Sequence, residues 1–160
     1  MNSFWFALSL VALIYIVGGY VILFKSVPDL DEVFINWSRK LKALWLLFFL
    51  AGSGTFLAVQ IILIFYTDAE KLDNAALLSS YILVLFSTVV WLPMLTAAKE
   101  YEQLKPVVIT NVVVTAIALV IFTVSLYDVS TTLFALSMPL TVHCIVFDGL
   151  LWNWQYFNQS

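Results

Sequence analysis

The sequence predicts an all-α integral membrane protein, a five-transmembrane-helix bundle with an amphipathic helix in the first loop. Composition is the first reason. Hydrophobic residues make up 63% of the 160 residues and charged residues only 11%, with a mean hydropathy of +1.02. A soluble domain averages about 45–50% apolar and about 25% charged residues. The second reason is that apolar stretches recur along the chain, each about 20 residues long, which is the length that a helix needs to cross a bilayer.

Five predicted spans cover most of the chain. Each is continuously apolar, as in a membrane helix, rather than alternating as in a barrel strand. They are residues 4–24, 43–66, 75–97, 107–127 and 131–153. The remaining loops and ends are too short for a soluble domain, so we expect a single membrane domain over residues 1–160. A secretory signal peptide is the alternative for the first span, but residues 1–3 carry no Lys or Arg, which favours a retained helix.

Positive charges in the loops predict the orientation. The loop at residues 25–42 has four Lys or Arg residues and the loop at 98–106 has two, against one in the loop at 67–74. Cytoplasmic loops of membrane proteins carry the excess of Lys and Arg. We therefore expect the N-terminus outside and the C-terminus on the cytoplasmic side.

The first loop is predicted to form an amphipathic helix over residues 28–41, because its large apolar residues recur at helical spacing. These residues are Leu30, Val33, Phe34, Trp37 and Leu41. The helix either lies on the bilayer surface or forms a lid over the cytoplasmic end of the bundle. A lid would turn Phe34 and Trp37 towards a bound ligand.

Two ionisable residues fall inside the spans, His143 and Asp148, both in the fifth. Such residues are costly in a membrane and usually face the bundle interior. Their i, i+5 spacing places them about 140° apart on an α-helix, so we expect no direct contact. Asp148 then needs a proton or a partner from another part of the chain, and the cations available on the same side are Arg39, Lys40 and Lys42. A helix-packing role and a ligand role both remain open for His143 and Asp148, and His143 could also be an axial ligand of a haem.

Other residues inside the spans indicate how the helices pack. Gln60 is typical of a hydrogen bond between helices, and Gly52 and Gly54 allow close helix contact. Pro93 and Pro139 each remove a backbone hydrogen bond and bend their helices, where pockets often form. The candidate ligand-binding residues are Trp37, Trp45, Trp91, Pro93, Pro139, His143 and Asp148.

The residue inventory argues against an enzyme. The sequence contains no Gly-rich phosphate loop, no convincing Ser, His and Asp arrangement, and no pair of carboxylates on one helical face. One Cys and one His are too few for a metal site of those ligands. The net charge of −3 offers no basic surface for nucleic acid.

The end of the third span resembles a known family. The stretch Phe86-Ser-Thr-Val-Val-Trp91-Leu-Pro93 is similar to the Asn-x-x-Trp-x-Pro motif of the TspO/translocator-protein family, the tryptophan-rich sensory proteins. The layout also resembles that family over residues 80–157, with Pro139 in the fifth span. The departures are Ser87 in place of the family's Asn, with one extra residue before Trp91, and His143 where a Trp is expected. The Pro-x-Trp segment that leads into the family's second span is missing.

The resemblance implies a bundle with a cavity open towards the first loop, binding of porphyrins or sterol-like lipids, and often a homodimer. It transfers Trp91, Pro93 and Pro139 to this chain. The sequence thus predicts a binding, transport or sensory protein for a small hydrophobic ligand held beneath the first loop. The alternative is a non-catalytic accessory subunit of a larger membrane complex.

Overall fold

The computed structural model describes residues 3–11, 13–14 and 37–152, and every regular element in these ranges is helical. The first helix, α1, comprises residues 3–11 and 13–14. The later helices are α2 (Arg39–Phe65), α3 (Ala69–Leu72), α4 (Ala75–Glu100), α5 (Lys105–Val129) and α6 (Thr131–His143). A 3-10 turn, Glu102–Leu104, precedes α5, and a π-helix, Cys144–Trp152, continues α6.

Three helical stretches are long and apolar enough to cross a membrane, namely Arg39–Phe65, Glu102–Val129 and Thr131–Leu151. Helices of this length and hydropathy are typical of a membrane protein, and the second, fourth and fifth predicted spans each largely coincide with one of them. The third predicted span is helical within α4, where Ala75–Trp91 forms a shorter apolar stretch. The first span extends beyond the described residues and stays a prediction.

Two helices begin at side chains that cap them. The Ser38 hydroxyl accepts a hydrogen bond from the Leu41 amide at 3.2 Å, and the Asn74 side chain accepts two from the first turn of α4. Such caps satisfy amides that have no partner within the helix. The cap also bears on the end of the predicted amphipathic helix over residues 28–41, because Trp37 and Ser38 are not helical and Leu41 belongs to α2. Residues 28–36 lie outside the described ranges, so the rest of that helix stays a prediction.

A polar contact joins three helices inside one of the buried cores. The Ser9 hydroxyl of α1 lies 2.6 Å from the Tyr81 hydroxyl of α4, which in turn donates to the side-chain oxygen of Gln60 in α2. The Trp5 ring packs on Tyr81 with 4.7 Å between ring centres. The prediction that Gln60 bonds between helices is thus confirmed.

The contact between α2 and α6 depends on one glycine. A Cβ atom added at Gly52 would lie 2.9 Å from the Cα of Leu140, closer than carbon atoms can pack, whereas one added at Gly54 would meet open space. The predicted close helix contact is therefore confirmed at Gly52 and absent at Gly54. On the other side of α6, the Thr141 and Thr123 hydroxyls lie 2.7 Å apart and link it to α5.

Candidate functional site

Aromatic residues from distant parts of the chain meet at one end of the bundle, where α2 begins, α4 ends and α5 begins. We call this group the tryptophan cluster. Its members are Trp37, Leu41, Trp45, Phe48, Trp91, Met94, Ala98, Leu104, Val108, Val112, Phe147 and Leu151. Three of the predicted site residues, Trp37, Trp45 and Trp91, therefore lie in one apolar cluster, although the sequence separates them by up to 54 positions.

A polar trio, made up of Trp45, His143 and Asp148, adjoins the tryptophan cluster, to which Trp45 also belongs. The indole N–H of Trp45 donates to Oδ1 of Asp148 at 3.1 Å, and the Nε2 atom of His143 lies 3.5 Å from Oδ2 of the same carboxylate. The Cys144 thiol also donates to Oδ2, at 3.7 Å. Asp148 is thus the centre of the trio. The sequence analysis expects Arg39, Lys40 or Lys42 as the partner of Asp148. In the structure, Trp45 connects the carboxylate to α2.

The contact between His143 and Asp148 corrects the expectation that these residues do not meet. That expectation assumed an α-helix, whereas residues 144–152 form a π-helix. A π-helix pairs residue i with residue i+5, so residues at that spacing come close to the same face. The wider turn carries Asp148 round to His143.

One residue allows the wider turn, and it is Gly149. A Cβ atom at Gly149 would lie 3.1 Å from the carbonyl oxygen of Cys144, which is tighter than ordinary packing. The absence of a side chain at Gly149 therefore allows the backbone spacing of this π-helix. Such π segments are rare and often occur at functional sites.

His143 is enclosed by aromatic rings. Its ring centre lies 5.3 Å from that of Trp45, 5.7 Å from that of Phe49 and 5.5 Å from that of Phe147. The residue is 1% exposed, and its Nδ1 atom has no hydrogen-bond partner among the described residues. A buried polar atom without a partner costs about 1–3 kcal/mol, so the arrangement needs an explanation beyond packing.

Asp148 is the open member of the trio. Its side chain is 31% exposed, whereas that of His143 is 2% exposed. The carboxylate is therefore more accessible than the imidazole. Within the described residues, no group of three His, Cys, Asp or Glu side chains is arranged to hold a metal ion.

Neither predicted proline is a member of the tryptophan cluster or the polar trio. Pro93 is exposed on α4, and Pro139 is half-buried in α6. The sequence reasoning missed Phe49 and Phe147, which enclose His143. Phe49 could have been found from its i, i+4 spacing to Trp45, but nothing in the sequence pairs Phe147 with His143 without the π-helix.

A second feature missed by the sequence reasoning is a groove of about 370 Å³ between α4 and α5. The Asn111 side-chain amide lines this groove and donates to the Ser87 carbonyl oxygen at 3.0 Å. The other lining residues are mostly apolar, among them Leu83, Phe86, Met94 and Val107. A lone amide in an apolar span, Asn111, is the signal that could have pointed to it.

The predicted site residues thus separate into a group of five at the tryptophan cluster and two prolines elsewhere. The resemblance to the TspO/translocator-protein family stays a prediction, since the chain matches no known family model, no curated protein and no solved structure.

Proposed function

We propose that this chain is a binding protein for a small hydrophobic ligand, held at the tryptophan cluster beneath the first loop. One observation carries the proposal. His143 is buried among aromatic rings, beside a carboxylate, and neither of its ring nitrogens makes a hydrogen bond among the described residues. Ionisable groups inside membrane spans are costly, and they usually mark ligand or ion sites.

The aromatic surroundings favour a ligand with a flat or apolar body. Ligand sites are lined mainly by apolar and aromatic side chains, with a few polar groups that set orientation. Trp45 and Phe49 stack with 5.1 Å between ring centres and present a rigid aromatic surface beside the polar trio. Porphyrin-like and sterol-like ligands meet these requirements. Transport or sensing would use the same site.

The predicted orientation is part of this proposal. The tryptophan cluster brings Trp37, at the start of α2, together with Leu104, which precedes α5. The two Lys- and Arg-rich loops therefore meet at the same end of the bundle, which supports a cytoplasmic location for that end. The assignment is checked with the variant Lys40→Cys. An impermeant thiol reagent is added from each side of the membrane in turn, and labelling of the cysteine is measured.

The test of ligand binding is a titration of the detergent-purified protein with protoporphyrin, read by quenching of Trp fluorescence. We expect saturable quenching at one site, with an affinity at least tenfold lower in His143→Ala. The control is Val142→Ala, which truncates the neighbouring, outward-facing side chain. The titration is then repeated with a fluorescent sterol. Linear quenching by both ligands, identical in wild type, His143→Ala and Val142→Ala, would exclude the proposed site.

A second candidate function is that of an accessory subunit in a larger membrane complex, either with another protein or with a second copy of this chain. The open groove between α4 and α5 favours it, because a ridge of side chains on a partner helix could fill such a groove. In native electrophoresis of mildly solubilised membranes, a discrete larger species is then expected. Val107→Trp, which fills the groove, should dissociate it, whereas an unchanged species would count against this role.

A further inference from the structure

The charge of the site specifies the ligand class, provided that the proposed binding function is correct. We propose that the tryptophan cluster and Asp148 together bind a lipophilic organic cation, that is, an amine, quaternary ammonium or phosphonium group carried on an apolar body. The apolar body would pack on the aromatic rings, and the positive group would lie against the carboxylate.

The first argument is the incomplete pairing of Asp148. The described contacts of its carboxylate are the N–H of Trp45, the thiol of Cys144 and the imidazole of His143. The first two donors are uncharged. The Nε2 atom of His143 is 3.5 Å away, which is longer than a normal hydrogen bond. A carboxylate in a membrane span is stabilised by a positive partner, and a cationic ligand would supply one.

The second argument is access. The Asp148 side chain is 31% exposed, so a cation can reach it without displacing His143. The His143 side chain is only 2% exposed and stacks on Phe147. Asp148 also lies four residues before Trp152, at the end of the π-helix, so it is near the end of the membrane-spanning stretch. An amphipathic cation would meet it there with its charge towards water and its apolar body in the bilayer.

The third argument is the aromatic composition of the walls. Trp45 combines the N–H that binds Asp148 with an indole ring, and the Phe49 ring lies parallel to it within 4°. The faces of aromatic rings attract cations, and Trp does so most strongly. Asp148 repels an anion and attracts a cation. Of two ligands with the same apolar body, the site therefore favours the cation.

The test compares two ions of the same shape and opposite charge, tetraphenylphosphonium and tetraphenylborate, by equilibrium dialysis against the full-length protein in detergent. We expect saturable binding of tetraphenylphosphonium and at least tenfold weaker binding of tetraphenylborate. Asp148→Asn should weaken phosphonium binding at least tenfold, and Asp148→Glu should restore most of it. The control is Asp128→Asn, which removes an exposed carboxylate in the last turn of α5 and should leave both affinities unchanged.

The outcomes separate this inference from the function on which it rests. Equal affinities of the two ions, with protoporphyrin still saturable, would overturn the inference and leave the binding function standing. No saturable binding of either ion or of protoporphyrin would overturn both. If Asp148→Asn does not fold, as judged by its helical circular dichroism, the inference is tested by the difference between the affinities of the wild-type protein for the two ions.

Discussion

Replacement of Gly52 by valine is expected to destabilise the bundle by about 2–3 kcal/mol, the upper range for overpacking of a well-packed interior. The reason is the approach of α6, whose Leu140 backbone would lie 2.9 Å from the new Cβ atom. Backbone atoms cannot rotate away as the end of a flexible side chain can, so the two helices must separate. The measurement is thermal loss of helical circular dichroism in detergent.

Gly54→Val is the matched control, because the same substitution two residues away adds its side chain to open space. We expect its stability to stay within about 0.5 kcal/mol of wild type, as for most surface substitutions. Equal stabilities for the two variants would mean that α2 and α6 do not pack through Gly52. If Gly54→Val destabilised the protein and Gly52→Val did not, another part of the molecule would pack on the Gly54 face of α2.

The second large effect is expected at the hydrogen bond between Trp45 and Asp148. Trp45→Phe keeps an aromatic ring but removes the donor that lies 3.1 Å from the carboxylate. Hydrogen bonds to charged groups contribute about 1.5–3 kcal/mol, so we expect a loss of about 2 kcal/mol. In the Asp148→Leu variant, Trp45→Phe should have little effect on stability, because the carboxylate that accepts the hydrogen bond is already absent.

A double-mutant cycle in denaturant measures this coupling, with Trp45→Phe and Asp148→Leu as its two changes. The control cycle combines Trp45→Phe with Asp128→Leu, since Asp128 is exposed in the last turn of α5. We expect a coupling energy of about 1–3 kcal/mol in the first cycle and none beyond error in the second. Additive effects in both cycles would show that the contact does not hold α2 to the fifth span.

Several features of the fold could be predicted from the sequence because they depend on local chemistry. A run of apolar residues must bury its backbone polar groups within itself in a bilayer, so composition alone predicts membrane helices. Ser38 and Asn74 are strong N-cap residues and begin α2 and α4 through hydrogen bonds that span two or three residues. Most of the candidate site could also be named, since Trp45, His143 and Asp148 are conspicuous in apolar spans.

The tertiary structure decided which of these residues meet. Gly52 and Gly54 are equivalent as sequence signals, yet only Gly52 faces α6, because the rotation of a helix depends on its neighbours and not on its own residues. His143 and Asp148 are expected on different faces of an α-helix and are brought together by a π-helix. The hydrogen-bond pattern of that segment depends on packing around it, through Trp45, Phe147 and the backbone at Gly149. Sequence thus determined that the chain folds into long apolar helices and which polar residues they carry. Only the packing of those helices determined that a carboxylate, an imidazole and an indole come together.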